Sequence, residues 1–457
     1  MYRNYNCSQL TPQELGKKVI LNGWVRGIID KGGILFFDLH DAYGKIQVIT
    51  KEKKLIKDFQ KVNSEDLLVV WGIAQLKQPK KNTKLSQQQK EIEIKLEKYQ
   101  IINQRTAKRL PFEIKDDTNI NEDNRFRYRY LDLRRNISKR PLIIRHHFLH
   151  QIRSYLYKQG FIEVETPILA QNSPEGARCF VVPSLLGKQR YYTLPQSPQI
   201  FKQLLMMSGF AKHYQIDKSF RNEDARSNRQ IEFSQLDLEM SFVSAKKIMT
   251  FVEKFLKHAL KKILGHQLKI PFPILTYQQA IKKYGTDKPD LRKNPKDKNE
   301  LNFVWIIDWP LFEYDKETKK YEALRHPFTL PKKKYIEPLL NDKIKPEKVI
   351  CEAFDLICNG EEVLSGSLRI YQRELQEKVF TILGYNQSKQ KKYFGYFLQA
   401  LEFAAPPHGG FGLGIDRLLA IILNLKSLKE IIAFPKNIDG SCSLTGTPNY
   451  LNKKIFK

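Results

Sequence analysis

The chain is short of three things. Cysteine is scarce: five in 457 residues, at Cys7, Cys179, Cys351, Cys358 and Cys442. They are odd in number and follow no CxxC or His-rich spacing, which excludes a disulfide framework and a structural zinc site and leaves reduced packing residues. Long apolar runs are missing too. No stretch reaches the about 18 residues that mark a membrane-spanning helix, and the opening MYRNYNCSQLTPQELGKK holds no apolar signal core. A cytoplasmic protein with no membrane partner is expected. Acidic residues are the third shortage: Asp plus Glu number 49 against 78 for Lys plus Arg, a formal net charge of +29. Field strength alone then points to a polyanionic partner, although enrichment of the whole chain in Lys, Asn and Ile accounts for part of the excess.

At this length two or three domains are expected, each able to bury a core. Residues 18–103 alternate between apolar and polar positions in VILNGWV, ILFFDLH, GKIQVIT, DLLVVWGIAQL and EIEIKLEKYQII, separated by Gly, Asp and Lys turns. These read as five short strands and suggest a small closed barrel of OB type, a fold that binds single-stranded nucleic acid on aromatic platforms. Residues 105–138 form a charged connector ending in RFRYRYLDLRR, where Arg and Tyr interleave; it reads either as a solvated linker or as a hinge against a nucleic-acid backbone. A long helix pattern starts at 141 and runs into GFIEVETPIL, a strand whose Pro167 belongs at an edge or bend because proline cannot donate to a ladder. Amphipathic helices follow at 244–264, and a Lys/Asn-rich segment at 292–302.

The chemistry concentrates in two places. Residues 216–240 place Arg221 and Glu223 in a polar loop between two alternating segments, with Phe233 and Asp237 on the second. The hairpin so formed presents a guanidinium for phosphate oxygens, a carboxylate for an amine and a ring for a base. Far downstream, GFGLGIDRLLAIIL (410–423) combines a Gly-rich approach with Arg417 at the start of an apolar helix, the end where anions are favoured. Either feature alone is an ordinary turn. Their joint presence in this order suits a nucleotide.

That order resembles motifs 2 and 3 of the class II aminoacyl-tRNA synthetases. FRYRYLDLRR, GFIEVETPIL, SPEGAR, LPQSPQIFKQLLMMSGF, RHPFT, APPHGG and AFPK narrow the resemblance to aspartyl-tRNA synthetases of bacterial type, over nearly the whole chain. The resemblance implies an α+β protein: an OB-type anticodon-binding barrel at 1–104, a hinge at 105–138, and a catalytic domain at 139–457 built on a central antiparallel sheet flanked by helices. A short loop near 285–302 replaces the family's inserted domain. The implied reaction activates L-aspartate with ATP and Mg²⁺, then passes it to the 3′-terminal adenosine of tRNA-Asp.

Residue by residue, the resemblance implies Arg221 on the α-phosphate, Arg417 on the γ-phosphate, and Phe233 under adenine with Glu223 and Gln230 beside it. Gly414, Ile415 and Asp416 complete the ATP site with Glu362. Asp355 and Glu362 would ligate Mg²⁺ through hard oxygens. Arg369 and Lys202 would bind the substrate side chain, with Asp237 orienting the lysine, and Arg221, Arg369 and Arg417 form the catalytic set. Glu175 and Gln199 would receive the ammonium, under a loop from Gln171 to Arg178. Arg325 and His326 would also face the amino acid; the family has two histidines there, so Arg325 substitutes a permanent cation for a titratable ring. Leu364 and Ser365 stand where the family has glycines and are expected to crowd the strand bearing Arg369. Phe36 and Gln47 would contact anticodon bases, although Gly27, Ile28 and Ile29 replace the family's basic run. Pro167 would centre a homodimer interface. Two alternatives remain open: a non-discriminating enzyme that also charges tRNA-Asn, and a catalytically inactive RNA-binding paralogue. Related asparaginyl-tRNA synthetases and an ammonia-dependent asparagine synthetase are disfavoured by Lys202 with Asp237 and by the barrel, respectively.

Overall fold

A computed structural model describes residues 3–77, 91–171, 178–187, 190–224, 226, 228–297 and 299–450. The chain divides into two units, Met1–Ile114 and Lys115–Lys457. In the first, strands β1 (Lys18–Asp30), β2 (Leu35–His40), β3 (Lys45–Thr50), β4 (Leu67–Leu76) and β5 (Ile92–Asn103) close into a barrel in the order β1-β2-β3-β5-β4, with helix α1 (Lys53–Phe59) between β3 and β4. The alternation seen in the sequence directs the packing. Leu35, Phe37 and Leu39 of β2 and Ile46 and Val48 of β3 enter the barrel core, while Phe36, Asp38 and Gln47 take the outer face.

The second unit opens with α2 (Glu122–Arg127), α3 (Arg129–Asp132) and α4 (Asn136–Lys158). Residues 105–138, expected as one connector, are therefore split between the units. Two of their arginines are turned inward. Arg129 and Arg135 both pair with the fully buried Asp132, and Arg129 donates from Nε to the Ala433 carbonyl at 2.9 Å. Helix α4 begins a turn earlier than the periodicity suggests and passes through Pro141. Its first turn is held by Asp116, which accepts from the Ile137 amide at 3.1 Å, and by Ser138, which donates to Asp132 at 2.9 Å.

Further elements are β6 (Ile162–Glu163), β7 (Val181–Pro183), β8 (Tyr191–Thr193), α5 (Gln199–Met207), β9 (Lys212–Phe220), β10 (Glu232–Ser241) and α6 (Ala245–Leu264). Then come β11 (Ile274–Thr276), α7 (Tyr277–Tyr284), β12 (Phe303–Ile307), β13 (Phe312–Asp315), β14 (Lys320–Ala323) and α8 (Lys333–Leu340). The chain ends with β15 (Ala353–Cys358), β16 (Glu361–Leu368), α9 (Arg373–Ile382), α10 (Gln387–Leu401), β17 (His408–Gly414) and α11 (Ile415–Ile422). An eight-stranded sheet runs β11-β12-β15-β16-β17-β10-β9-β6, antiparallel through its centre and parallel only at its two outer pairs. The described residues between α7 and β12 form a loop, in which Glu300 accepts from the Lys293 and Asn294 amides at 2.8 and 3.0 Å. Among the described residues no helix is long and apolar enough to cross a membrane.

One face of this sheet is apolar. Leu236, Leu238 and Met240 of β10, Phe411 and Leu413 of β17, and Leu364 of β16 meet Phe148, Ile152 and Leu156 of α4 and the buried stripe of α6. Leu364 was expected to crowd the strand bearing Arg369. It pairs with Leu413 and lies in this core instead, because alternation turns it away from Arg369.

The opposite face is polar, and glycine makes room for it. A Cβ at Gly410 would lie 1.9 Å from the Leu238 carbonyl oxygen and 2.3 Å from Glu239 Oε2. Both neighbours are locked, the first by the ladder and the second by ion pairs. Gly410→Ala is therefore expected to destabilise the second unit by about 3 kcal/mol or more, lowering its melting temperature in a thermal scan by on the order of 6 °C.

Candidate active site

The polar face floors a cavity of about 970 Å³, at the upper end of the range for small-molecule sites. Strand β10 is buried almost throughout, yet Gln235, Asp237 and Glu239 alternate with Leu236, Leu238 and Met240. Such a strand has two insides: a hydrophobic core and a site. In register beside these polar residues stand Gly414, Gly412 and Gly410 of β17. Ser365 and Ser367 of β16 continue the polar layer beyond them.

Helix α5 delivers Lys202 onto this floor. Its ammonium donates to Asp237 Oδ1 at 2.7 Å, to the Phe411 carbonyl at 3.4 Å, and lies 3.6 Å from Glu239. Arg369, just past β16, forks Glu239 through Nε at 2.8 Å and Nη2 at 3.2 Å. Its Nη1 donates to Ser367 at 2.6 Å and to His326 Nε2. Lys202, Arg369 and Asp237 are each 1% exposed and Glu239 is fully buried, so none can rely on water. Burial pushes the Glu239 carboxyl upward, but Arg369 and Lys202 outweigh it and hold the group below its usual range, ionised. His326 moves the other way. Burial, then Arg369 and Lys202, drive its pKa well below the usual value, so the ring stays neutral with Nε2 accepting from Arg369. Glu239 did not figure among the expected site residues. The signal was present in SQLDLEM, where acids alternate with leucines.

Gln199 opens α5 at the cavity wall, with its amide nitrogen buried and without a partner among the described residues. Glu175 and most of its loop (172–177) lie outside the described residues.

At the other end of the cavity Arg221 stands over the Phe233 ring, 5.2 Å from its centroid. Glu223 pairs with Arg229 at 2.8 Å. Arg417 donates to the Glu362 carbonyl at 2.7 Å, and its Nε is buried with no partner among the described residues. Three residues expected at this end are tied up by other contacts. Gln230 lines the cavity, and its amide is held on both sides by the Lys436 backbone, at 3.2 and 2.9 Å, so it also pins that segment. The Ile415 side chain is fully buried in the hydrophobic core and does not line the cavity. Asp416 reaches the cavity wall, but its carboxylate binds Arg145 of α4 and accepts from the Ser234 amide at 2.9 Å. It braces the helix start against β10.

The carboxylates expected to hold a metal also differ from expectation. Asp355 is 1% exposed and lies in charge contact with Arg325, but neither of its oxygens has a hydrogen-bond partner among the described residues; another Arg325 nitrogen lies 3.9 Å from Glu362. Lys288 is 3.7 Å from Glu362. Among the described residues, Arg325 and Glu362 line the cavity and Asp355 does not. No group of three or more His, Cys, Asp or Glu suited to a metal occurs among the described residues. Mg²⁺ is held by one or two carboxylates only when phosphates complete its shell, and without a nucleotide this pair faces a guanidinium instead. Arg325, expected near the amino acid with His326, lines the cavity with its guanidinium turned toward Asp355 and Glu362 and 3.5 Å from the Trp309 ring centroid.

In the first unit Phe36 and Gln47 are half-buried on the same outer barrel face, diagonal to each other across the β2–β3 pair, with Asp38 opposite Gln47. The segment that replaces the basic run bulges between Arg26 and Ile29, and leaves Ile29 48% exposed. In the second unit Pro167 is exposed beside Ile168 and Leu169, following the edge strand β6.

A closed five-stranded barrel followed by a largely antiparallel sheet with a cation-lined polar face is the architecture of a class II synthetase. The family model described as tRNA synthetases class II (D, K and N) matches residues 121–438, and that of the OB-fold nucleic acid binding domain matches residues 19–102. The aspartate–tRNA(Asp/Asn) ligase of Dictyoglomus turgidum is 38% identical, covering 99% of this chain and 97% of that protein. The ligase of the same name from Geobacillus sp. is 35% identical, covering 99% and 96%. The first alignment spans 583 residues, so the relative carries segments that this 457-residue chain lacks. The chain belongs to the class II tRNA synthetases of the D, K and N group, in the family of the aspartate–tRNA ligases. Its fold is also that of asparaginyl-tRNA synthetase from Pyrococcus horikoshii, solved with asparaginyl-adenylate, at a TM-score of 0.76, 21% identity and 95% and 98% coverage.

Asp217 is a further buried acid of the polar layer. Ser219 donates to it at 2.7 Å, and one of its oxygens has no partner among the described residues. Burial, then repulsion from Asp237, raise its pKa to about 9. A raised acid means that the folded state holds a proton which the unfolded chain releases from about pH 4. Stability therefore falls as pH rises from there toward 9. Asp217→Asn, which needs no proton, is expected to melt roughly 2–4 °C above the parent at pH 8 and level with it near pH 4, as read by thermal scans at both pH values.

Proposed function

We propose that this chain is an aspartate–tRNA ligase that makes aspartyl-adenylate and pyrophosphate from L-aspartate and ATP, then transfers aspartate to the 3′-terminal adenosine of tRNA-Asp with release of AMP. The observation that carries the reading is the sharing of one cavity by two sets of cations, Lys202 with Arg369 and Arg221 with Arg417. In the first step an oxygen of the substrate α-carboxylate bonds to the α-phosphorus as the bond to pyrophosphate breaks. That step needs alignment and charge stabilisation and no general base. Arg221 holds the α-phosphate, Arg417 the far phosphates, and Phe233 the adenine, with Glu223 at its amine. Gly414 lets the backbone approach the nucleotide. Mg²⁺ enters as the counter-ion of ATP.

At the other end, Glu239 fixes the plane of Arg369 and Asp237 fixes Lys202. The Nη1 edge of Arg369, resting on the neutral Ser367 and His326, exchanges those partners for the substrate side-chain carboxylate. Asparagine brings no charge and leaves the cations underpaired, a difference that polar sites convert into large selectivity. Gln199 and Glu175 take the ammonium. The barrel takes the anticodon through Phe36 and Gln47, and the +29 charge contributes affinity that weakens with salt. The protein works in the cytoplasm as a homodimer, a reading supported by exposed Ile162, Pro167, Ile168 and Leu169 around the edge strand.

A second reading, that tRNA-Asn is charged too, is favoured by the bulged, apolar Gly27–Ile29 segment on the barrel and by relatives named for both tRNAs. An inactive RNA-binding paralogue would have no reason to keep Lys202, Arg221, Arg369 and Arg417 around one cavity. The deciding experiment is aminoacylation of purified tRNA-Asp and tRNA-Asn with labelled aspartate, beside aspartate-dependent ATP–pyrophosphate exchange. Charging of tRNA-Asp is expected, and no exchange with aspartate would end the reading. Gln47→Ala is expected to leave exchange intact while reducing tRNA charging; equal loss of both would contradict the assignment of the barrel.

A further inference from the structure

We infer that Arg325 is the resident cation of the Asp355–Glu362 pair, so that the protein holds a guanidinium where two facing carboxylates would otherwise attract a divalent metal. Asp355 is 1% exposed on the site face of β15, where an unpaired carboxylate would be strongly disfavoured. Arg325 closes it off from the cavity: the guanidinium pairs with Asp355, reaches to 3.9 Å from Glu362 and lines the cavity in its place. The ring of Trp309, itself 2% exposed, backs the guanidinium at 3.5 Å and fixes its plane. Lys288 supplies a second positive charge 3.7 Å from Glu362. A dication approaching from the cavity meets two cations before it meets Asp355.

For catalysis the inference rests on the aspartate-activating reading and adds a residue to it. Arg325 is a fixed donor beside Arg221 and Arg417, in place to share the charge developing on the phosphates. Unlike a bound ion, it cannot be removed by a chelator.

The test is Mn²⁺ binding to the nucleotide-free protein, followed by electron paramagnetic resonance of the unbound ion, with thermal melts to verify folding. The parent is expected to show no Mn²⁺ binding that responds to Asp355→Asn. Arg325→His and the smaller Arg325→Ala, which open Asp355 to the cavity, are expected to bind one Mn²⁺ at least ~10-fold more tightly than the parent, and to lose it on adding Asp355→Asn. Arg325→Lys should remain metal-free. A parent that binds one Mn²⁺ through Asp355 would overturn the inference, as would folded Arg325→His and Arg325→Ala proteins that gain no ion. These measurements need neither aspartate nor tRNA, so their failure is separate from failure of aspartate-dependent exchange.

Discussion

Four charged side chains on the inner face of β10 and its neighbours have been taken out of water, and much of the second unit serves to make that tolerable. Each ion carries a desolvation penalty of several kcal/mol in a protein interior. Lys202, Asp237, Glu239 and Arg369 offset it only as a closed set, two cations against two anions at hydrogen-bonding distance. Geometry of that quality needs a rigid platform. The apolar reverse face of the same strands supplies it, clamped by α4 and α6, while Gly410 and Gly412 of β17 leave space for the charges beside them. The same strand is thus a core strand and a site strand at once, and neither face can be altered without disturbing the other.

The two ends of the cavity differ in charge balance. At the amino-acid end the cations are already matched, and Asp217 keeps its proton so that no third negative charge upsets the set. Selectivity there depends on an incoming carboxylate replacing neutral partners of a guanidinium whose orientation Glu239 has fixed. At the nucleotide end Arg221, Arg325, Arg417 and Lys288 outnumber Asp355, Glu362 and Glu223. A triphosphate supplies the missing negative charge. Placing the surplus at one end orients the substrates along the cavity before any bond is made.

Much of this was legible in the chain itself. Period-two alternation identified the five barrel strands and divided Phe37 from Phe36. Arg221 and Phe233, and Arg417 behind its glycines, announced a nucleotide because residues that match phosphate and base were grouped within local segments. Elsewhere local pattern misled. Asp416 and Gln230 have the chemistry of ligand contacts, but Arg145 and the Lys436 backbone, far away in sequence, claim them. Ile415 was carried along with its neighbours, although the helix turns it into the core. Glu239 carries no decisive local mark of its role, because an acid in a strand next to leucines is equally compatible with a solvent-facing position until both faces are known to be covered.

Sequence by itself determined the barrel and the cations that a nucleotide requires, since these follow from periodicity and from residue types that lie close together along the chain; the class of the second unit and Lys202 with Arg369, distant in sequence, were given by the resemblance to the family. Tertiary structure decided the pairings. Whether a carboxylate is a ligand, a brace or a counter-ion depends on which distant guanidinium reaches it, and on whether water does. For Asp355 that decision fell to Arg325, thirty residues earlier and on a separate segment, because a charge buried on the face of a sheet takes the nearest opposite charge that packing can bring to it.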